Sequence, residues 1–255
     1  MTIPRRLFTA VIAALLLAGC ATLVADSIES LLEQGIELFT ARKYDKAIEK
    51  FLEVVRRDPT AWNAHLYLAR SYIAKSSWTD AIASGRKALE LAPDRGEVVP
   101  VLAEALLGAG NDALNRGQFG EAARHLSEYV KLRPTDFRGH LQLGRAFLGS
   151  GSYQDAARAF VRGLGQVSDA SDRQQLLVGL LDGDRQALSS GDARGAITLL
   201  QQYVRYDHDN ASAYVELGKA YWQTGSRGNA LRAFQRGLQL NPNDPEAQQF
   251  LGGRR

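Results

Sequence analysis

Few residues in this 255-residue chain have the types and spacing that catalysis or metal binding requires. The sequence contains no GxSxG, P-loop or HExxH motif, and its single cysteine is Cys20. The stretch "DHDN" at 207–210 offers polar ligands, but it lacks the glycine and the distal glutamate of a calcium loop. We therefore interpret it as ordinary loop chemistry, and we expect no enzyme activity, no cofactor and no metal site.

The context of Cys20 is specific. Two arginines in the first six residues precede an apolar run at 7–18, which has the layout and length of a secretory signal. The run leads into "LAGC" at 17–20, which resembles the lipobox of bacterial lipoproteins. This resemblance implies a signal peptide at 1–19, acylation of Cys20, and a short tether at 20–27 that holds the protein at a membrane. An ordinary cleaved signal peptide and an uncleaved anchor are the alternatives, and general secretory or twin-arginine export remains open.

The charge of the chain does not indicate a nucleic-acid partner. Its formal net charge is +3 and its pI is about 9.0. Removal of residues 1–19 takes away Arg5 and Arg6, so Lys plus Arg falls from 31 to 29 against 28 acidic residues, which leaves +1. The high pI of the full chain is therefore not evidence of a nucleic-acid-binding surface, and we expect no nucleic-acid partner.

One short pattern recurs six times through the rest of the chain. An aromatic or small residue, two polar or small residues and an alanine occur at 44–47 and at five later places. The alanines are Ala47, Ala81, Ala122, Ala156, Ala196 and Ala230, at spacings of 34, 41, 34, 40 and 34 residues. Twelve residues before these alanines stand Gly35, Ala69, Gly110, Gly144, Asp184 and Gly218. A repeat of this length predicts helix-turn-helix units that stack into a solenoid.

This pattern resembles the tetratricopeptide repeat. The resemblance implies an all-α fold, a right-handed superhelical solenoid of six helix-turn-helix units. The six copies are expected at 28–61, 62–95, 103–136, 137–170, 177–210 and 211–244. Residues 245–255 are expected to form a truncated capping helix and tail. Four glycines between the two helices of a copy are predicted to adopt φ above zero, namely Gly117, Gly151, Gly191 and Gly225.

The two long spacings group the six copies into three sets of two copies each. They add the segments 96–102 and 171–176, each of which is predicted to lengthen a first helix by about one turn. Pro100 is expected as a first helical residue, and Ser171 with Gln174 as a capping box.

The resemblance also predicts a concave groove lined by the first helix of each copy. Its apolar candidates are Leu32, Ile36, Phe39, Leu66, Ile73, Leu141, Leu148 and Trp222. Its polar candidates are Arg70, Asn111, Arg145, Arg185 and Lys219. Such a face suits an amphipathic partner segment that carries acidic residues. Two alternatives remain open, because stacking of first helices could bury the leucines, and the basic side chains could form local salt bridges.

The remaining histidines are expected to have packing roles. His65 and His140 occupy the same place in copies two and four, where a satisfied core histidine is the better interpretation. His125 is expected on the outer face of a second helix.

Together these features predict a binding protein, lipid-anchored on the periplasmic face of the outer membrane. The expected function is a scaffold or assembly factor for an envelope complex, such as pilus and secretin, outer-membrane or polysaccharide-export machinery. The layout is similar to that of tetratricopeptide lipoproteins that pilot secretin subunits of type IV pili. The expected partner is an amphipathic or acidic segment of an envelope protein, with the membrane contacted through the acyl chains. The alternative is a permanent structural subunit of a large envelope complex.

Overall fold

The computed structural model describes residues 26–252, and all regular elements among them are α-helices. The helices are α1 (Ile28–Thr40), α2 (Tyr44–Arg57), α3 (Trp62–Ala74), α4 (Trp78–Leu91), α5 (Val98–Asn115), α6 (Phe119–Leu132), α7 (Phe137–Gly149), α8 (Tyr153–Leu164), α9 (Ala170–Ser189), α10 (Ala193–Tyr206), α11 (Ala211–Gln223), α12 (Arg227–Leu240) and α13 (Pro245–Gly252). The predicted signal peptide, Cys20 and the tether up to residue 25 lie outside the described residues, as do residues 253–255. None of the described helices combines the length and hydrophobicity needed to cross a bilayer.

The helices pack as six consecutive pairs, from α1 with α2 to α11 with α12, and each pair also contacts the next. First helices touch one another along the chain, as α3 touches α5 and α7 touches α9. This arrangement confirms the predicted all-α superhelical solenoid of six helix-turn-helix units.

The turn inside each pair has one residue in the left-handed backbone region. Four of these residues are the predicted glycines, with φ of 70° at Gly117, 72° at Gly151, 81° at Gly191 and 76° at Gly225. The first two pairs place Arg42 and Ser76 there instead, at φ of 57° and 56°. A residue with a Cβ costs about 1–2 kcal/mol in this region, so these two turns carry strain that the glycine turns avoid.

In four of the six pairs, a glycine of the first helix meets a large side chain of the second. A Cβ added at Gly144 would lie 2.4 Å from the ring of Phe160, which is fully buried. The same contact is made by Gly35 with Phe51 and by Gly218 with Phe234. Only a glycine allows the ring to approach the first helix this closely, because any Cβ would overlap it.

Two first helices are longer than the others. Helix α5 has 18 residues and α9 has 20, against 13 in α1, α3, α7 and α11. The start of α5 differs from the prediction, because Pro100 is its third residue rather than its first. A proline is tolerated there because the first N–H groups of a helix have no intrahelical partner. The predicted capping box is also wrong, since Asp169 caps α9 by accepting hydrogen bonds from the amides of Ser171 and Asp172.

The short helix α13 lies against the last pair. Its Phe250 stacks on Phe234 with ring centroids 4.6 Å apart and meets Trp222 edge-on at 5.5 Å. Glu246 of α13 also accepts a 2.9 Å hydrogen bond from the Lys219 ammonium. The apolar end of the solenoid is therefore covered by a single helix, as a solenoid end requires.

Candidate functional site

Three of the apolar groove candidates do not line an open surface. Leu66, Leu141 and Leu148 are 2%, 4% and 6% exposed and belong to the packed core. The alternative in which stacking of the first helices buries these leucines therefore applies. Neighbouring first helices pack closely enough to bury these side chains between them.

The other apolar candidates, Leu32, Ile36, Phe39 and Ile73, are half-buried. Phe39 packs edge-on against Tyr44 at 5.6 Å and Tyr67 at 5.8 Å, so its ring is fixed by aromatic neighbours. These four side chains therefore expose only part of their apolar surface at this end of the solenoid.

Two of the four basic candidates are neutralised by acids on the same helix face. Arg185 bonds Asp182 at 3.1 Å, and Lys219 bonds Glu216 at 2.9 Å in addition to Glu246. These are surface ion pairs, which are worth little by themselves but do use up the charge. The local salt-bridge interpretation therefore applies to these two side chains.

Arg70 and Arg145 are in a different situation, because within residues 26–252 neither has a carboxylate within 4.0 Å. Arg70 lies over the ring of Tyr67 at 5.2 Å, which holds it against the surface. Arg145 is exposed, and it donates only a 3.3 Å hydrogen bond to the Gln142 amide oxygen. Its charge remains available to a partner.

Trp222 is half-buried rather than open. Phe250 meets it edge-on, and the Arg227 guanidinium lies 5.2 Å from the centre of the ring. Phe250 and Arg227 thus cover part of the Trp222 ring, which was predicted to contact a partner.

Arg145 lines a pocket of about 400 Å³ between α5 and α7, which we call the central pocket. Its lining residues are Asn111, Leu114, Asn115, Gln142 and Arg145. Asn111 and Arg145 were predicted, and the structure brings them together. Asn115 and Gln142 were missed, although polar residues on the exposed side of both first helices are visible in the sequence.

The central pocket has unused hydrogen-bonding capacity. The Oδ1 atom of Asn111 is buried and has no partner in the structure, although a buried amide oxygen normally has one. The guanidinium of Arg145 can donate two parallel hydrogen bonds to a carboxylate of a partner. The pocket is therefore suited to an extended or helical segment that carries an acidic side chain.

The histidines are placed by packing, with one difference from the prediction. The Nε2 atom of His140 lies 2.9 Å from the carbonyl oxygen of Pro134, and His65 makes the equivalent contact with Pro59 at 3.1 Å. His125 is only 8% exposed, so its predicted place on the outer face is wrong. Burial is the main cause that lowers the pKa of His125, followed by the nearby charge of Arg124.

The polar stretch at 207–210 forms a loop with its own hydrogen bonds. Asp207 accepts a 2.6 Å hydrogen bond from the Tyr203 hydroxyl. Asn210 caps α11 by accepting a 3.1 Å hydrogen bond from the amide of Ala213. Across residues 26–252, no group of three or more His, Cys, Asp or Glu side chains is arranged to hold a metal ion.

Asp184 replaces the repeat glycine of the fifth pair and lies inside the solenoid. It is 2% exposed, and its Oδ1 atom has no hydrogen-bond partner. Burial and then the charge of Glu216 raise the pKa of Asp184 to about 7, while Arg185 and Lys219 act in the opposite direction. A titratable group thus lies next to the row of charges on α9 and α11.

Comparison with known proteins agrees with the helical repeat. Two family models described as tetratricopeptide repeat match the chain, one at residues 32–95 and 107–171 and the other at 187–252. Lipopolysaccharide assembly protein B of Escherichia coli (strain K12) is 24% identical over 204 residues, which are 79% of this chain and 51% of that protein. The chain thus spans about half the length of the curated relatives it matches.

Solved structures of helical-repeat proteins also superimpose on the chain. YrrB, a protein with an unusual peptide-binding site, is 15% identical, with coverage of 90% of this chain and 94% of its own and a TM-score of 0.40. PilW, a type IV pilus biogenesis factor, is 20% identical, with coverage of 88% and 98% and a TM-score of 0.36. No statement about function follows from superpositions at this level.

Proposed function

This chain belongs to the tetratricopeptide repeat family, and we propose that it is a membrane-anchored scaffold or assembly factor of the bacterial envelope. In this proposal the first-helix face binds a segment of a partner protein, centred on the central pocket. The observation that carries the proposal is Arg145, an exposed cation that lines the central pocket and has no carboxylate partner among residues 26–252.

The charge pattern supports an acidic or amphipathic partner segment. Arg145 lies near the middle of the solenoid, whereas Arg185 and Lys219 on the later helices are already paired. A partner carboxylate would therefore be stabilised most at the central pocket, because a charge-assisted hydrogen bond forms there without breaking an existing ion pair. Half-buried Leu114 in the same pocket provides an apolar contact for the other side of an amphipathic segment.

The envelope location is supported by two observations of different kinds. The N-terminal "LAGC" resembles a lipobox, which implies a lipid anchor at Cys20 on the periplasmic face of the outer membrane. The curated relative from Escherichia coli is named for lipopolysaccharide assembly, which is a process of the envelope. The pilus, secretin and polysaccharide-export machineries remain candidates for the complex that is served.

Site-specific cross-linking in the bacterial envelope tests this proposal. A photo-reactive amino acid placed at Asn115, an exposed member of the central pocket, should capture a partner segment rich in acidic residues. The same amino acid at Gln235, exposed on the second helix of the last pair, is the control position. Arg145→Glu should remove the adduct at position 115, whereas Arg133→Glu, an exposed charge outside the pocket, should leave it unchanged.

Trp222→Ala should have a smaller effect than Arg145→Glu, because Phe250 and Arg227 already cover the ring. Equal adducts at positions 115 and 235, or an adduct that persists in Arg145→Glu, would contradict binding at the central pocket. A captured segment without acidic residues would contradict the proposed chemistry.

A further inference from the structure

The turn of the first pair carries a concentration of positive charge. A pocket of about 390 Å³, which we call the basic pocket, lies between this turn and the end of α3. Its lining residues are Arg42, Lys43, Tyr44, Asp45, Lys46 and Lys75. Four cations and one carboxylate give the lining a formal charge of +3.

Most of this charge is not neutralised. Asp45 pairs with Lys75 across the pocket. Among the described residues, Arg42, Lys43 and Lys46 have no carboxylate within the 4.0 Å of an ion pair. Three free cations around one concave space create a positive potential that attracts anions.

The fold does not require this charge. The turn of the second pair forms a similar pocket of about 350 Å³, but its charged members are Asp80, Asp112, Arg116 and Glu121, besides the buried His125. That lining is net negative, although the helix-turn-helix geometry is the same. The cations in the first pair are therefore a property of this position and not of the repeat.

The start of α2 lies beside these cations. Arg42 is the left-handed residue of the turn, as Ser76 is in the second pair. Lys43 precedes α2 without a side-chain cap, as Ser77 precedes α4, and the first turn of α2 lines the pocket. Uncapped amides and cationic side chains together form the usual environment of a bound phosphate.

We propose that the basic pocket binds a phosphate group, which could belong to an anionic lipid headgroup or to a soluble phosphate ester. The Arg42 guanidinium can grip two phosphate oxygens at once. Lys43 and Lys46 add charge that neutralises the dianion. The pocket is separate from the central pocket, so the two sites can be tested independently.

Equilibrium dialysis of the full chain in mild detergent, with inorganic phosphate as the probe, tests binding directly. Arg42→Ser with Lys43→Ser reproduces the Ser76–Ser77 turn of the second pair, so this variant should fold. It should weaken phosphate binding at least tenfold, since two of the three free cations are lost. Lys131→Ser with Arg133→Ser removes the same charge from exposed positions on the chain and should change binding less than twofold.

A second arm distinguishes the source of the phosphate. The wild-type chain and both double variants are sedimented with vesicles of phosphatidylglycerol or of phosphatidylcholine. The N-terminal apolar segment is present in all of them, so only the difference between variants reports the basic pocket. If only the Arg42/Lys43 variant sediments less, and only with phosphatidylglycerol vesicles, the pocket binds a lipid headgroup. If all three proteins sediment equally but the Arg42/Lys43 variant binds inorganic phosphate more weakly, the pocket binds a soluble ester.

Two results would overturn the proposal. One is the absence of saturable phosphate binding to the wild-type chain, together with equal sedimentation of the wild-type chain and the Arg42/Lys43 variant with phosphatidylglycerol vesicles. The other is an equal loss of phosphate binding in the two double variants, because that would mean that overall charge, not the basic pocket, attracts the anion.

Discussion

The buried carboxyl group of Asp184 makes the stability of the solenoid depend on pH. Replacement by asparagine keeps the size of the side chain and removes its charge. We expect Asp184→Asn to become increasingly stable relative to the wild-type protein as the pH rises. The physical reason is that Asp184 is 2% exposed and its Oδ1 has no partner, so ionisation there is penalised.

The magnitude follows from the pKa. In the folded protein the pKa of Asp184 is about 7, against 3.8 for a free aspartate. Because the folded value is the higher one, the penalty is absent well below pH 3.8, grows as the pH rises and is complete above pH 7. A difference of about three units corresponds to a full penalty of about 4 kcal/mol, of which about 2.5 kcal/mol develops between pH 5 and pH 8.

Urea unfolding at several pH values between 5 and 8 measures this effect. The matched control is Asp182→Asn, two residues away on α9, where the carboxylate is exposed and paired with Arg185. The stability difference between Asp184→Asn and wild type should widen by about 2.5 kcal/mol across this range. The same difference for Asp182→Asn should stay nearly constant, because this carboxylate is exposed to solvent and carries no burial penalty. A carboxyl ¹³C titration of Asp184 by NMR would give the pKa itself.

A constant difference for Asp184→Asn across the pH range would refute the reasoning. It would mean that Asp184 is ionised at low pH, through water or through the nearby Lys219 and Arg185 charges. A carboxyl pKa near 4 in the NMR titration would have the same meaning.

Three further changes test the packing. Ser76→Gly should stabilise the protein by about 1 kcal/mol in urea unfolding, since it relieves a left-handed φ of 56°; no gain would contradict strain in that turn. Gly144→Ala should cost about 1–3 kcal/mol, because its Cβ would lie 2.4 Å from Phe160. Gly120→Ala, with open space around the Cβ, is the control, and equal effects of both would argue against the close contact. Phe250→Ala should speed amide exchange in α11 and α12, and unchanged exchange would mean that α13 does not protect the solenoid end.

Much of the fold was accessible from the sequence. The spacing of the repeat alanines, Ala47 onward, predicted six pairs of helices, and the position of Gly151 predicted a left-handed turn, as the structure confirms. These features are local, because helix period, turn conformation and the size of a residue at a helix crossing depend on a few neighbouring residues. The start of α9 was harder to predict, because Asp169 and Ser171 are both good N-cap residues and only the path of the preceding loop selects one of them.

The candidate binding surface could only partly be predicted from the sequence. The sequence placed Arg145 and Asn111 on the face of the first helices, and the structure adds that they share one pocket. It also shows that Leu141 on the same face is buried, and that Arg185 is neutralised by its neighbour Asp182. Helical periodicity states which way a side chain faces, but not how far the next helix covers it.

The sequence by itself thus determined the number of repeats, the helices and the four glycine turns. Only the tertiary structure decided which of those side chains remain open, where His125 and Asp184 are buried, and which cations lack a partner. Those properties depend on the distance and angle between successive pairs. In a solenoid this geometry is set by contacts between copies, which the pattern within one copy does not contain.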